Sequence, residues 1–297
     1  MDIRRLTLDE HALISDLYKR TYGRERSDKH QNWIDINPMG LPLYYGAFEN
    51  NQLFGLSGLL PWKITPEQKA WQFAEVLVDS NKRKQGIFFK ILTAFFKDIQ
   101  TNKIDAPIYT LPNPSSEPHF HKFSELRFSQ VPRWCLWLHP SSSPLNKLKH
   151  ISPYLNFLLP KAPTDHNKQW ETQTQFIGNM AIFLNWRFGP DNPSVWEIVG
   201  HHNEQACFRI NDNNTIQIGL WPTSTELYPS FISHLVALSK TNNIGRIEWA
   251  GQASELQSKM LKYCGFRTSF LNKKTWRNTL FTNSDSCPHI NRMHFDT

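Results

Sequence analysis

The sequence predicts an α/β fold built from two similar units, and three observations predict it. A strand-like run at residues 71–78 leads into a basic turn around one glycine, Arg83-Lys84-Gln85-Gly86, and then into a long amphipathic helix. The order of strands, helix, strand, helix and strand returns after residue 195. With 39 % apolar residues, 20 Phe and 11 Trp among 297 residues, the chain can bury a large core or two ordinary ones.

In chain order, residues 3–6 read as a first strand. Thr7-Leu8-Asp9-Glu10 has the form of a capping box, which opens a helix buried through Leu13, Ile14, Leu17 and Tyr18. A loop carrying Trp33, Asn37-Pro38 and Gly40-Leu41-Pro42 follows. Residues 43–48 and 53–62 form a hairpin around Glu49-Asn50-Asn51-Gln52. After the strand at 71–78, a helix at 87–99 has Phe88, Leu92, Phe95 and Ile99 on one face. A strand at 108–111, a short helix at 116–125 and a strand at 128–138 complete the first unit.

Residues 141–175 read as a connector, with Ser141-Ser142-Ser143-Pro144, a helix at 145–159 and a polar stretch. A helix then carries Phe183-Leu184-Asn185-Trp186-Arg187-Phe188. The second unit has strands in 196–209 and 216–221, a helix at 227–240, a strand at 246–250, a helix at 254–263 and a strand at 266–271. The expected division is therefore 1–140, 141–175, 176–280 and a tail at 281–297.

Composition narrows the partners. A net charge of +7 admits nucleic acid, anionic lipid or a phosphorylated small molecule. No dense Lys/Arg block and no helix-turn-helix or zinc-finger spacing accompanies it, which argues against nucleic acid. Cys135, Cys207, Cys264 and Cys287 are far apart with no C-x-x-C, and residues 1–5 do not resemble a signal peptide. Reduced thiols in a cytoplasmic protein are expected. No apolar run reaches the length of a membrane span. His119-x-His121 and His201-His202 lack a second cluster at ligand spacing, so no metal is expected.

The turn at residues 83–88 is the strongest functional signal. A strand, a glycine turn and a helix N-terminus bring several unpaired N–H groups to one point at the positive end of a helix dipole, a receptor for a diphosphate. The second unit has Trp221-Pro222-Thr223-Ser224 at the corresponding place, so one cofactor site is expected rather than two.

The strand followed by Arg83-Lys84-Gln85-Gly86-Ile87-Phe88 resembles the [Q/R]-x-x-G-x-[G/A] signature of the GNAT superfamily of acyl-CoA N-acyltransferases. Phe88 stands where the pattern has a small residue. Asn37-Pro38-Met39-Gly40, Asn113 and the Leu184-Asn185-Trp186-Arg187-Phe188 element with its later proline add to the likeness, the last to tandem members. The resemblance implies two GNAT-like units, each a mixed sheet flanked by helices. It implies acetyl-CoA or another acyl-CoA held by Val76, Leu77, Val78, Arg83, Lys84, Gln85, Gly86, Ile87, Phe88 and Asn113. Glu75 occupies a place where many members carry their general base. Phe123 stands where a tyrosine often reprotonates the leaving thiolate, which leaves Tyr109, His119, His121 or solvent for that task.

The acceptor implied is a small-molecule amine bound between the units of a monomer or homodimer. Trp33, Trp62, Trp186 and Arg187 are the candidate acceptor residues, the arginine as a carboxylate or phosphate clamp. Each also has a plain packing role open to it. With no activated Ser or Cys constellation in view, direct transfer in a ternary complex is expected. A catalytically inactive CoA-binding GNAT fold and a Fem-type aminoacyl transferase are the alternatives.

Overall fold

The structure, a computed structural model, describes residues 1–63, 68–101, 107–110, 112, 116–124, 126–138, 170–201, 203–251, 253–268 and 277–282. Asn113, Cys287, most of the connector and the helix expected within it lie outside the described residues.

The first unit opens with β1 (Asp2–Arg5), and the Glu10 carboxylate accepts the Thr7 N–H at 2.9 Å. The capping box is present, but it starts a 3-10 turn that passes into α1 (Ala12–Tyr22) rather than starting the α-helix directly. The region read as loop around Trp33 contains α2 (Asp28–Asp35), with Ser27 before it, Asp28 in its first turn, and Trp33 and Ile34 buried. An N-cap serine followed by an acidic residue is the signal for it.

The hairpin β2 (Leu43–Glu49) and β3 (Gln52–Lys63) turns at Asn50 and Asn51, both at positive φ (50° and 62°). That geometry matches strand twist, and asparagine tolerates it. Next come β4 (Lys69–Val78), α3 (Ile87–Gln100), β5 (Ile108–Thr110), α4 (Glu117–Phe120) and β6 (Arg127–Trp137).

The second unit runs β7 (Glu171–Gln173), α5 (Ala181–Phe188), β8 (Glu197–His201), β9 (Glu204–Asn211), β10 (Thr215–Leu220), α6 (Tyr228–Thr241), β11 (Arg246–Ala250), α7 (Glu255–Tyr263) and β12 (Arg267–Thr268). A last strand, β13 (Arg277–Thr282), includes Phe281 and Thr282, two residues that the sequence reading assigned to a tail.

The repeat is visible in the pairing. β2, β3 and β4 are successive antiparallel neighbours, and β4 then pairs in parallel with β5 across α3. β8, β9 and β10 repeat that order, with β10 parallel to β11 across α6. The units also share strands. β13 lies between β5 and β6, antiparallel to both, although it is the last of the described strands. β6 pairs with β13 through residues 127–132 and with β11 through residues 133–137, and so joins both sheets into one strand order.

Four buried clusters hold these layers. α3 covers one face of the first sheet through Ile87, Ile91, Leu92 and Phe95, packed on Tyr45, Leu59 and Phe73. α1 covers the other face through Ile14 and Leu17. α6 and α7 cover the second sheet, where Phe231, Ile232, Leu235 and Leu261 meet Ile216, Ile218, Ile247 and Trp249. The remaining cluster lies between the units and draws Trp33, Ile34, Leu60 and Trp62 together with Phe183, Trp186, Phe188 and Trp196. Among the described residues no helix is long and apolar enough to cross a membrane.

Candidate active site

β4 carries the site because its ladder with β5 stops short and its ladder with β3 is interrupted by a bulge. The β4–β5 ladder consists of Trp71–Ile108 and Gln72–Tyr109. Beyond it, Thr110 Oγ1 donates to the Phe73 carbonyl at 3.3 Å. Among the described residues the backbone of Ala74 to Val78 has no ladder partner on the β5 side. Toward β3 the register runs Gly55–Val78 and Leu56–Leu77, then jumps to Gly58–Ala74. Glu75 and Val76 thus form a bulge, with Glu75 in the left-handed region at φ 54°. A non-glycine residue there costs about 1–2 kcal/mol, and a bulge re-aims the side chain it carries.

After β4, Asp79 accepts the Asn81 N–H at 3.0 Å and an Arg20 Nε–H at 3.1 Å, which fixes the exit from the strand. Lys82 is tied to Glu49 at 2.5 Å, whereas Arg83 reaches back toward the Val78 carbonyl at 3.4 Å. Lys84 and Gly86 both have positive φ, 65° and 72°. A Cβ built on Gly86 meets nothing within 4 Å, so the missing side chain faces open space. The Gly86 carbonyl accepts the Lys90 N–H at 3.0 Å, so Ile87, Phe88 and Phe89 are the first turn of α3, whose N–H groups have no intrahelical partner.

These pieces surround a cleft of about 600 Å³ lined by Val76, Leu77, Val78, Arg83, Lys84 and Gly86, with Phe88 and His119 also in its wall. Main-chain donors, two cationic side chains and a helix N-terminus at its mouth fit a pyrophosphate. The open strand edge beyond fits an amide-bearing arm. Those are the two recognition elements of coenzyme A. Phe88, the departure from the small-residue pattern, does not fill the space. Its ring is buried against Phe120 (5.7 Å), Phe73 (6.4 Å) and the edge of His119 (5.4 Å). His119 Nδ1 is buried with no hydrogen-bond partner among the described residues.

Behind the bulge lies a polar cluster that sequence reasoning missed, apart from Glu75. Arg26 and His30 both reach Glu75 Oε1, His30 Nε2 at 3.3 Å, and the Tyr44 hydroxyl donates to Oε2 at 2.5 Å. Burial pushes the Glu75 carboxyl up, but His30, the Arg26 charge and Tyr44 outweigh it and hold the group below the usual carboxylate range. Burial, with the Glu75 charge, drives Tyr44 far above an ordinary phenol, so it remains a donor. His30 and Trp33 lie one turn apart on α2. That spacing is readable only once residues 28–35 are recognised as a helix.

The structure brings Trp33, Trp62, Trp186 and Arg187 together and buries all of them, with Trp33 1 % and Arg187 0 % exposed. Trp33 and Trp186 stack at 4.6 Å and 3°, and each indole N–H donates to the other residue's carbonyl, at 2.8 and 2.7 Å. The Arg187 guanidinium lies 5.4 Å from the Trp62 ring and 5.8 Å from that of Trp33.

In the second unit the turn that would match the cradle is already filled. Glu204 Oε2 accepts the N–H of Thr223 at 2.7 Å and faces that of Ser224 at 3.4 Å, while Trp221 stacks on Tyr228 at 4.5 Å. A carboxylate at that point repels a phosphate. Burial pushes the Cys264 thiol up to about 12, and Cys207 is shifted the same way, as expected of inert core thiols. Among the described residues no group of His, Cys, Asp and Glu could hold a metal ion.

A split strand pair, a bulge and a glycine cradle at a helix start, on a repeated mixed sheet, define a tandem GNAT-type fold. Residues 2–123 match the family model described as an acetyltransferase (GNAT) domain. The whole chain is similar in fold to a probable N-acyltransferase from Enterococcus faecalis V583, at 11 % identity and a TM-score of 0.62, over 95 % of this chain and 71 % of that one. A tandem GNAT protein from the clavulanic acid biosynthesis pathway is similar at 10 % identity and a TM-score of 0.54, over 95 % and 98 %. Eis1 from Mycobacterium abscessus is similar at 16 % identity and a TM-score of 0.53, over 84 % and 65 %. No curated protein matches the chain by sequence.

Proposed function

We propose that this chain is an acyl-CoA-dependent N-acyltransferase that acts on the primary amine of a small molecule such as an amino sugar or amino acid, with acetyl-CoA as its ordinary donor. The observation that carries the reading is the cleft at residues 76–88, where an open strand edge leads to a glycine cradle at a helix N-terminus. Acyl-CoA, when bound, supplies an activated thioester.

The N–H groups of residues 86–89 and the charges of Arg83 and Lys84 hold the diphosphate, and Gly86 leaves the space for it. The free backbone of Val76, Leu77 and Val78 pairs with the pantetheine amides and presents an N–H toward the carbonyl, a small oxyanion hole. We place Glu75 in the polar cluster through which the amine loses its proton. We assign the return of a proton to the leaving sulfur to His119. It lines the cleft, whereas Tyr109 is buried against Gln72 and His121 reaches toward Glu117. Trp33, Trp62, Trp186 and Arg187 act in this reading as the packed wall behind the acceptor side.

The test is a thermal-shift and calorimetric comparison of acetyl-CoA, longer acyl-CoAs and free CoA, followed by thiol release with a panel of amines. Acetyl-CoA is expected to raise the melting temperature of the wild type, and Arg83→Glu to lose most of that rise. An unchanged response in Arg83→Glu would move the cofactor elsewhere. Binding without transfer to any amine would leave a CoA-binding protein and not an enzyme.

A further inference from the structure

Transfer to an amine requires that its nitrogen lose a proton, and the acyltransferase reading leaves open which atom receives it. Glu75 is poorly suited to do so itself. Both of its oxygens are occupied by donors, Oε1 by Arg26 and His30 and Oε2 by the Tyr44 hydroxyl. Its side chain is 11 % exposed and that of Arg26 3 %. A carboxylate with that many donors is stabilised as the anion and is a weak base. Its charge is already matched by the buried Arg26 guanidinium.

His30 is the accessible member of this group, with its side chain 26 % exposed. Nε2 faces Glu75, and Nδ1 has no hydrogen-bond partner among the described residues. The ring rests beside Trp33 at 5.8 Å, and the Arg187 guanidinium also lies 5.8 Å from that indole. The charged and titratable groups around it are therefore Glu75 from β4, Arg26 from the segment before α2, and Tyr44 from β2, itself packed edge-on by His11 at 5.2 Å. Glu75 sits in the bulge directly before Val76, which lines the cleft, and His30 Nε2 lies 3.3 Å from its carboxylate.

Resting on that reading of the cleft, we propose that His30 is the catalytic base of this enzyme and Glu75 its positioning residue. Glu75 accepts the Nε2–H and thereby fixes the tautomer that leaves the Nδ1 lone pair toward the acceptor. In the step itself an N–H bond of the acceptor ammonium breaks and an N–H bond forms at Nδ1. The electron pair stays on the amine nitrogen, ready for attack, and the resulting imidazolium returns its proton to solvent. This is the arrangement of a base oriented by a third group.

Two measurements on the full chain test it. Long-range ¹H–¹⁵N spectra of histidine-labelled protein, with His30 assigned by its loss in His30→Gln, should show Nε2 protonated and Nδ1 bare at neutral pH, and a mixed tautomer in Glu75→Gln. A Nδ1–H tautomer, or an imidazolium that persists through neutral pH, overturns the proposal. With acetyl-CoA and glucosamine, L-lysine and spermidine as acceptors, His30→Gln should lower kcat/KM about 100-fold or more while acetyl-CoA affinity changes less than about twofold. The acidic limb of the pH profile should disappear with it. Wild-type rates in His30→Gln overturn this assignment alone, whereas wild-type protein that binds acetyl-CoA and acetylates none of the three amines removes the acyltransferase reading and this proposal with it.

Discussion

Around Glu75, donors from three separate segments meet one carboxylate, and its left-handed backbone persists because they hold it. A simpler case on the same unit allows a clean pH prediction. Arg4 and the Thr7 backbone hold the Glu10 carboxyl down at about 2, against an ordinary 4.5. A depressed carboxyl contributes stability above its unfolded value and loses it as pH falls toward its folded value. Unfolding free energy should therefore decline between pH 4.5 and about 2, and less steeply in Glu10→Gln, as read by urea titration across that window. Residues such as Arg83, Gly86 and the Thr7–Glu10 pair were legible in the sequence because their partners lie within a few positions. Arg26 and Tyr44 were not, because each meets Glu75 only through folding, at separations of 49 and 31 residues.

At the scale of elements, the cradle depends on a turn whose backbone only some residues accept. At φ 72° Gly86 adopts a region that costs an L-residue about 1–2 kcal/mol. Its neighbourhood has room for a methyl group, so Gly86→Ala should lower stability by about 1 kcal/mol. Acetyl-CoA affinity should fall further than that loss explains, because the Cβ enters the ligand's space. Calorimetry on folded protein separates the two effects, and unchanged affinity would argue against contact at Gly86. Strong periodicity made α3 and the hairpin readable to within a residue or two. α2 was missed because its eight residues, Asp28–Asp35, carry only a narrow apolar face, Trp33 and Ile34, between polar neighbours. β12, Arg267–Thr268, falls within the strand expected at 266–271, whereas β13 lacks a period long enough to register.

On the scale of the molecule, the two units are joined by an aromatic core. Trp186 contacts Trp33, Trp62 and Phe183 and also receives and gives hydrogen bonds across the junction. Trp186→Ala should cost about 3–5 kcal/mol, the range for a large buried aromatic. The loss should appear in one cooperative transition by both fluorescence and circular dichroism, since the strands β6 and β13 tie the sheets together. Two separated transitions would show that the units unfold independently. The duplication was legible from element order, but the exchange of strands was not, because a pairing between residues 109 and 282 leaves no local trace.

That exchange has a consequence for how the chain is made. Synthesis delivers β1 to β5 early, yet the neighbour of β5 within the sheet is not translated until residues 277–282 emerge. Until then the first unit has an incomplete sheet edge, and an unsatisfied strand invites wrong partners. Completion of the sheet that carries the cleft therefore depends on residues 277–282.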